Sequence, residues 1–285
     1  MAPDPAQDPH VYHFISGLPR SGSTLLSGIL RQNPRFRAGM TSPVGALCAA
    51  LLAQFSAGSE FAPLVSQEQR RAILRSMFSA FYAGTPQPVI MDTNRAWCSR
   101  MGLVQDLFPG SKVIACVRNV GWVMDSFERR YRANPYEFTR LFPGNPLRST
   151  VYTRLDGLAQ HDQTVGYAWA SLREAFYGEH ASSLLLVDYD LLARSPAQVL
   201  PLVYRFLGEQ PFDHDFDNVE YDAEEFDLAL GAPGLHRVRA KVEFTPRRAV
   251  IPPDLFEKYS QMSFWKDTAG SAASVITIQT HQDTP

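Results

Sequence analysis

One stretch near the start of the chain, from His13 to Leu26, constrains the fold more than any other. A short apolar run, Val11 to Ile15, meets a glycine-rich turn, and an apolar-periodic helix follows as far as Asn33. A strand, a glycine-rich turn and a helix N-terminus in this order can bind phosphate, because free backbone N–H groups and the positive end of the helix dipole converge on one point. The stretch therefore predicts an anion site at the start of an α/β unit.

The turn keeps most of the P-loop frame but lacks its phosphate-binding lysine. Gly17 and Gly22 stand at the two glycine positions, and Ser23 occupies the lysine position, followed by Thr24. Arg20 is the cation within the turn, and the glycines allow the backbone to approach an anion closely. The predicted phosphate contacts are Gly17, Pro19, Arg20, Ser21, Gly22, Ser23 and Thr24.

A second cation follows a later predicted strand. The apolar run from Val113 to Val117 ends at Arg118, and Ser126 lies on the helix after it. Enzymes that use ATP need an acidic residue at such a strand end to hold Mg²⁺, so a small-molecule kinase fits poorly. Arg118 and Ser126 instead indicate a second phosphate, some distance from the first. The sequence thus predicts a ligand with two separated phosphate ends and no metal requirement.

Composition excludes several classes of protein. The chain of 285 residues is 45% hydrophobic and 20% charged, with a formal net charge of -2, as in a soluble globular protein. Such a chain lacks the basic face that nucleic acids need, and no apolar run is long enough to span a membrane. The first residues lack a signal-peptide pattern, and the three scattered cysteines fit a reducing compartment, so we expect a cytoplasmic protein.

Buried strands and amphipathic helices alternate along the chain. This alternation predicts an α/β fold of P-loop-NTPase-like type, with three α/β/α layers and a central parallel sheet. Ligands of such sheets bind at the carboxyl ends of the strands, where Arg20, Asp92 and Arg118 all fall. Besides the first strand, the predicted strands are Val89 to Met91, Val113 to Val117 and Leu184 to Val187. Besides the first helix, the predicted helices are Val44 to Phe55, Cys98 to Phe108, Val120 to Tyr131 and Gln160 to Tyr177. Ser66 and Ser195 each begin one further predicted helix.

A single domain, residues 11–266, contains these elements. Residues 1–10 are predicted to be a disordered leader and residues 267–285 a flexible tail. The stretch 134–156 combines prolines, glycines, aromatic residues and arginines, which predicts an irregular insertion or lid that shapes the acceptor pocket. The run from Asp213 to Asn218 has partial calcium-loop spacing but lacks the turn glycine, so we expect an acidic surface loop. The basic run from Leu235 to Arg248 is either a solvated face or a second anion contact.

Two motifs together resemble those of the sulfotransferases. The run from Gly17 to Leu25 resembles their 5′-phosphosulfate loop, and the run from Phe108 through Arg118 to Ser126 resembles their 3′-phosphate motif. The similarity extends from Tyr12 to about Arg248. It implies an enzyme that uses 3′-phosphoadenosine 5′-phosphosulfate (PAPS), releases adenosine 3′,5′-bisphosphate (PAP) and requires no metal.

Later segments resemble the protein-tyrosine sulfotransferases in particular. Trp169 and Tyr177 match a Trp-x7-Tyr helix whose tyrosine contacts the nucleotide, and Lys241 matches a late lysine that reaches the cofactor. The resemblance thus adds Tyr177 and Lys241 to the expected cofactor contacts. The run from Asp188 to Leu191 is similar to a Tyr-acid-x-Leu stretch of the family, which we interpret as structural.

The catalytic base is not inherited from the family. Tyrosine sulfotransferases carry a glutamate where this chain has Ala38 to Pro43, and cytosolic sulfotransferases carry a histidine where it has Asp92 to Arg95. Asp92 is the first candidate for the base, and an N-cap or a pairing with Arg95 is its structural alternative. Arg20 is the second expected catalytic residue, because it can stabilise charge on the bridging oxygen. Weaker candidates for the base are Glu60, His161 and Glu243.

The acceptor and two other functions stay open at this point. The implied reaction is in-line transfer of a sulfuryl group to a hydroxyl of a peptide (tyrosyl included), sugar, lipid or small phenol. Because the family base is missing, a protein that binds adenosine bisphosphate or another anion without turnover is the alternative. A P-loop small-molecule kinase comes third. Whether the chain forms a homodimer is also open.

Overall fold

Six parallel strands form one sheet at the centre of the computed structural model, which describes residues 8–56, 58–133, 150–221, 224–229, 234, 238 and 240–277. The strands are β1 (Val11–Gly17), β2 (Phe36–Ala38), β3 (Val89–Thr93), β4 (Val113–Val117), β5 (Leu184–Asp188) and β6 (Ser274–Val275). They lie in the order β2-β3-β1-β4-β5-β6, and every neighbouring pair is parallel. β1 is therefore central, and the turn that follows it lies between the carboxyl ends of β3 and β4.

Helices cover both faces of this sheet. On one face pack α1 (Ser23–Leu30), α8 (Tyr189–Arg194) and α9 (Pro196–Leu207). On the other face pack α2 (Val44–Gln54), α3 (Gln67–Phe81), α4 (Met101–Leu107), α5 (Val120–Ala133), α6 (Val151–Ala159), α7 (Thr164–Tyr177) and α11 (Pro253–Ser260). The remaining helix, α10 (Glu224–Ala229), is short and lies between α9 and α11 in the chain.

The central strands are buried on both faces because helices cover both. Phe14 and Ile15 of β1 are both 0% exposed, yet they lie in different hydrophobic cores. Ile114 and Ala115 of β4 divide between the two cores in the same way. This burial explains the nearly continuous apolar runs in the sequence. It confirms the predicted three-layer α/β/α fold with a central parallel sheet.

Local capping signals mark the start of α3 as the sequence predicts. The Gln69 amide donates to Ser66 Oγ at 3.2 Å, and the Ser66 amide donates to the Gln69 side chain at 2.8 Å. These two bonds satisfy backbone donors that the first turn would otherwise leave free. α9 likewise begins at Pro196 and ends before Gly208, whose φ of 74° is left-handed.

Two edge strands differ from the sequence-based expectation. β2 is only three residues long and was not predicted. β6 lies within the segment expected to be a flexible tail, where Ser274 and Val275 pair with Leu185 and Leu186 of β5. Hydrogen bonding to the sheet edge orders this part of the segment, so the tail prediction is wrong there. Residues 278–285 lie outside the described residues.

The predicted leader and lid fall partly outside the described residues, which leave out 1–7 and 134–149. Asp8 accepts hydrogen bonds from Tyr12, at 2.7 Å, and from Ser79, so residues 8–10 do not form a leader as predicted. The end of the predicted lid instead opens α6, through a capping box at Thr150. In the part of the chain that the structure describes, no helix has both the length and the apolar character to cross a membrane.

Candidate functional site

The carboxyl ends of β1 and β4 meet at a point where only glycine fits. Gly17, the last residue of β1, has a φ of 106°. A Cβ atom there would lie 2.2 Å from the carbonyl oxygen of Cys116 in β4. That same oxygen accepts the Leu18 amide at 2.9 Å, which fixes the exit of the chain from the sheet. The close approach of the two strands explains why the first glycine of the motif is required.

The turn after β1 presents backbone donors. Gly22 immediately precedes α1 and has a φ of 88°. Arg20 has a φ of 60°, and among the described non-glycine residues it alone has a positive φ. Within the described residues, the amides of Ser21 to Thr24 donate to no acceptor, and the first helical bond is from Leu26 to Gly22 at 2.9 Å. Free N–H groups at a helix start form an anion site. The turn therefore has the donors that the sequence predicts.

Arg118 lies directly after β4, held between an aromatic ring and a carboxylate. Its guanidinium carbon is 4.3 Å from the centroid of the Tyr189 ring, and Nη2 lies 3.3 Å from Asp190. The contact with Asp190 lacks hydrogen-bond geometry, so it is an ion pair only. Arg118 is 9% exposed, and its buried Nε has no hydrogen-bond partner within the described residues. A buried guanidinium donor of this kind is suited to an anionic ligand.

Tyr189 joins this cation to the turn after β1. The ring that lies under Arg118 also fills the space beside Gly22, where a Cβ atom would lie 2.6 Å from Tyr189 Cδ2. Tyr189 follows β5, which pairs with β4. At the carboxyl ends of β1, β4 and β5, the turn after β1, Arg118 and the Tyr189 ring therefore pack against one another.

Arg20 belongs to a cluster of cations. Its Nε donates to Ser126 Oγ at 3.2 Å, so the two predicted anion motifs are in contact. Although Arg20 is exposed to solvent, the surrounding protein lowers the pKa of its guanidinium, and the charges of Arg130, Arg247 and Arg118 lower it further. Arginine stays protonated despite such shifts. Like charges so close together favour binding of a polyanion.

A buried carboxylate fixes Arg247 beside this cluster. Asp125 of α5 is 0% exposed and lies 3.3 Å from Arg247 Nη2. It also pairs with Arg129 Nε at 2.7 Å and accepts the Val250 amide. These contacts attach the segment around residues 247–250 to α5, next to Arg118. The basic run predicted as a solvated face or an anion contact thus places at least one arginine, Arg247, at the site.

The sequence model of the sulfotransferase family matches residues 13–214, a range that contains the turn after β1, Arg118 and Ser126. The chain belongs to the sulfotransferase family. The sulfotransferase domain of the Synechococcus PCC 7002 olefin synthase is similar in structure, with a TM-score of 0.51 over 92% of this chain and 96% of that chain at 19% identity. The sulfotransferase domain from the curacin biosynthetic pathway gives a TM-score of 0.49 over 90% and 92% at 17% identity. No curated protein matches the chain significantly.

In this sulfotransferase, Asp92 lies inside the protein. It is 1% exposed, and its carboxylate accepts hydrogen bonds from Trp97 Nε1 at 2.7 Å, Ser42 Oγ at 2.5 Å and the Tyr82 hydroxyl. Burial raises its pKa, against the effect of these hydrogen bonds. The N-cap at this strand end is Asn94, whose side chain accepts the Ala96 amide. Asp92 thus braces the segment before α2 against β3, and its predicted role as the base stays a prediction.

Tyr177 does not join the cation cluster. It is the last residue of α7, only a short turn before β5 begins at Leu184, and Leu184 pairs with Val113 at the start of β4. Its ring packs against Phe176 and Phe264. Tyr177 therefore lies toward the amino ends of the strands, whereas the turn after β1 lies at their carboxyl ends. The expected nucleotide contact of Tyr177 is not supported by this placement.

Lys241 also lies apart from Arg20 and Arg118, on an exposed face. Its Nζ pairs with Asp217 at 2.9 Å, and this contact raises the pKa of the ammonium. The neighbouring Val242 is the residue that packs into the core. Asp213, Asp215 and Asp217 are exposed in a segment without helix or strand, which confirms the predicted acidic surface loop. Among the described residues, no group of three or more His, Cys, Asp or Glu side chains could hold a metal ion.

Tyr189 was not predicted as a site residue, and Arg247 was not singled out within its basic run. Tyr189 was interpreted as structural, although its position directly after a parallel strand places it at the ligand edge of the sheet. The weaker candidates for the base, Glu60, His161 and Glu243, are all exposed. Arg20, Arg118 and Ser126, in contrast, lie together as the motif spacing implied.

Proposed function

We propose that this sulfotransferase moves a sulfuryl group from PAPS to a hydroxyl group of an acceptor by in-line displacement. The observation that carries the proposal is the contact of two anion-binding segments through the bond from Arg20 to Ser126. One segment offers free backbone amides, and the other offers the buried, unpartnered Nε of Arg118. A ligand with a phosphate group at each end of one nucleoside fits that pair.

Each end of the donor has its own set of residues. We assign the 5′-phosphosulfate to Gly17, Pro19, Arg20, Ser21, Gly22, Ser23 and Thr24. We assign the 3′-phosphate to Arg118 and Ser126, with Arg247 as a further cation. Bidentate arginine contacts suit phosphate geometry, and a helix start suits a second phosphate. No metal is needed in this scheme, because arginines and amides supply the positive charge.

PAPS, when bound, supplies a sulfuryl group whose bond to the 5′-phosphate breaks as PAP leaves. Arg20 cannot lose its proton in the working pH range, so it acts as a fixed positive charge beside the oxygen on which negative charge builds. The amides of Ser21 to Thr24 act in the same way without reorganising. Their contribution is electrostatic, and a proton acceptor must come from another residue.

We include tyrosyl and other phenolic hydroxyls among the acceptors, as well as alcohols. The phenolic case draws support from the motifs around Trp169 and Lys241, which resemble the tyrosine type. A phenol, with a pKa of about 10, needs a weaker base than an aliphatic alcohol. A chain without the family's base would therefore act most readily on a phenolic acceptor.

A binding protein for PAP without turnover is the second candidate. The observation that favours it is the state of Asp92, whose two carboxylate oxygens are taken by three donors of the protein interior. Neither family position for the base carries the expected residue in this chain.

We also propose a cytoplasmic location. Cys48, Cys98 and Cys116 are buried and unpaired, which suits a reducing compartment.

Transfer of label from [³⁵S]PAPS tests the proposal. The full chain is incubated in EDTA with a tyrosine-containing peptide, 2-naphthol, 1-octanol and a simple sugar as separate acceptors. We expect labelled product from at least one acceptor, inhibition by PAP, and loss of transfer in Arg20→Ala and Arg118→Ala. Tight PAP binding without transfer to any acceptor would favour the binding protein, and failure to bind PAP or PAPS would contradict both functions.

A further inference from the structure

Trp122 lies in the first turn of α5, on the helix face that also carries Ser126. Residues 122 and 126 are four positions apart, so their side chains lie on the same side of the helix. Ser126 Oγ accepts a hydrogen bond from Arg20 Nε at 3.2 Å, which places this face of α5 against the turn after β1. Trp122 therefore lies beside the two anion-binding segments.

Two arginines of the cation cluster lie over the ring of Trp122. The guanidinium carbon of Arg118 is 6.0 Å from the centroid of the ring, and that of Arg247 is 5.3 Å from it. The face of an aromatic ring attracts cations at such distances. Because Arg118 directly precedes α5 and Arg247 belongs to a late segment of the chain, the ring links two cations that are distant in sequence.

These two cations repel each other, and the ring is a contact that they share. Burial lowers the pKa of the Arg247 guanidinium, and the charge of Arg118 lowers it further. Each arginine has a carboxylate partner at 3.3 Å, Asp190 for Arg118 and Asp125 for Arg247. Within the described residues, neither of these carboxylates pairs with both arginines, whereas the Trp122 ring contacts both.

The packing of α11 fixes the position of the Trp122 ring. Phe256 of α11 meets this ring edge to face, with the ring centroids 4.9 Å apart and an interplanar angle of 76°. A Cβ atom at Gly121 would lie 2.8 Å from the carbonyl oxygen of Phe256, so α5 and α11 are in close contact next to Trp122. A ring that is packed against a neighbouring helix can act as a fixed support for the two guanidinium groups.

We propose that Trp122 is a positioning residue for the 3′-phosphate, an inference that rests on the proposed sulfotransferase function. Its ring holds the guanidinium groups of Arg118 and Arg247 near each other before the ligand binds, so that one phosphate can contact both. Cations that are already in place bind an anion more tightly, because less conformational freedom is lost on binding. Trp122 thereby increases the preference for PAP over a nucleotide without a 3′-phosphate.

The test removes the ring in two variants and keeps an aromatic ring in a third. Trp122→Leu and Trp122→Gln remove it at a half-buried position, so the result does not depend on the folding of one variant, and Trp122→Phe keeps a ring. Phe206→Leu is the matched control, because Lys112 Nζ lies over the Phe206 ring at 5.3 Å. Lys112 directly precedes β4, whereas Trp122 follows that strand. Calorimetry gives the dissociation constants of PAP and 5′-AMP for each full-length protein, and the thermal midpoint reports on folding.

Trp122→Leu and Trp122→Gln should bind PAP about 5–30-fold more weakly, the equivalent of about 1–2 kcal/mol for lost cation–π contacts, and should bind 5′-AMP as the wild type does. Trp122→Phe should stay within about threefold of the wild type, because its ring still attracts cations. Phe206→Leu should keep the wild-type preference for PAP.

Three results would overturn the assignment. They are a wild-type preference for PAP in Trp122→Leu or Trp122→Gln, an equal loss of affinity for PAP and 5′-AMP in these variants, and a loss in Trp122→Phe as large as that in Trp122→Leu. If the wild type itself binds PAP no more tightly than 5′-AMP, the proposed function fails, which is a distinct result.

Discussion

At the residue scale, the ring of Tyr189 packs between Gly22 and Arg118 and so joins the turn after β1 to the cation after β4. Gly22 leaves room for this ring, and the same ring lies under the Arg118 guanidinium. A side chain at residue 22 would thus displace the Tyr189 ring, and with it the packing of Arg118 at the end of another strand. The second glycine of the motif therefore supports Arg118, the cation that we propose for the 3′-phosphate, as well as the loop in which it lies.

Gly22→Ala should therefore impair both stability and PAP binding. Gly110→Ala is a matched control, because Gly110 has a similar φ of 85° and a Cβ atom added there would meet no described atom within 4 Å. A left-handed alanine costs roughly 1–2 kcal/mol, and we expect Gly110→Ala to lose about that free energy of unfolding without a change in PAP affinity. Gly22→Ala should lose more, because its Cβ would lie 2.6 Å from Tyr189. Equal losses in urea unfolding, with wild-type PAP binding in both, would contradict the account.

Asp92 provides a pH test of the interior brace. Burial raises its pKa, so the folded state holds the proton more tightly than the unfolded state, in which the pKa is about 3.9. Its contribution to stability is then fully present below the unfolded pKa and is lost as pH rises through the folded pKa.

Asp92→Asn removes this titration together with part of the hydrogen bonding. We expect it to lower the free energy of unfolding by about 1–3 kcal/mol near pH 4, since a buried donor loses its partner. The difference from the wild type should shrink as pH rises, and urea unfolding over a pH series measures it. A difference that grows with pH would show that Asp92 has a lowered pKa in the folded protein.

At the element scale, local sequence signals predict those helices and strands whose capping residues and apolar spacing lie within the element itself. The capping box at Ser66 and the helical apolar spacing predicted α3 because both act within the element. β2 has three residues and β6 has two, which is too short for a period to appear, and both depend on the strands beside them. The placement of Tyr177 depends on which way α7 runs relative to the sheet, and a motif spacing does not contain that information.

Ser66→Ala tests the capping box of α3. Loss of an N-cap hydroxyl costs about 1 kcal/mol, and we expect a drop of that size in the free energy of unfolding. Ser76→Ala, at an exposed position within the same helix, is the control and should be neutral or slightly stabilising. Urea unfolding measures both, and equal effects of the two substitutions would argue against the cap.

At the scale of the whole molecule, the sheet order assembles a site from residues far apart in the chain. Adjacent parallel strands β1, β4 and β5 carry Gly17, Arg118 and Tyr189 at or just after their carboxyl ends. The alternation of strands and helices predicted this edge, and with it the meeting of Arg20, Arg118 and Ser126. The late segments follow no strand end, so the alternation of strands and helices does not place them. Lys241 was expected at the site because of the family resemblance, and Arg247 was not singled out.

The same assembly places several arginines together in a chain whose formal net charge is -2. Arg118, Arg130 and Arg247 all act on Arg20, so positive charge is concentrated at one edge of the sheet. A ligand that carries phosphate groups at both ends of a nucleoside would neutralise this charge, whereas a ligand with one phosphate would leave part of it unbalanced.

Calorimetric titration with PAP, 5′-AMP and ATP with Mg²⁺ tests the central claim most directly. We predict that PAP binds without metal and more tightly than 5′-AMP by roughly 10–150-fold, the equivalent of about 1.5–3 kcal/mol for a charge-assisted hydrogen bond. Arg118→Met should abolish most of that preference, and Arg205→Met, at an exposed position of α9, should keep it. Equal affinity for PAP and 5′-AMP, unchanged PAP binding in Arg118→Met, or a preference for ATP with Mg²⁺ would contradict the account.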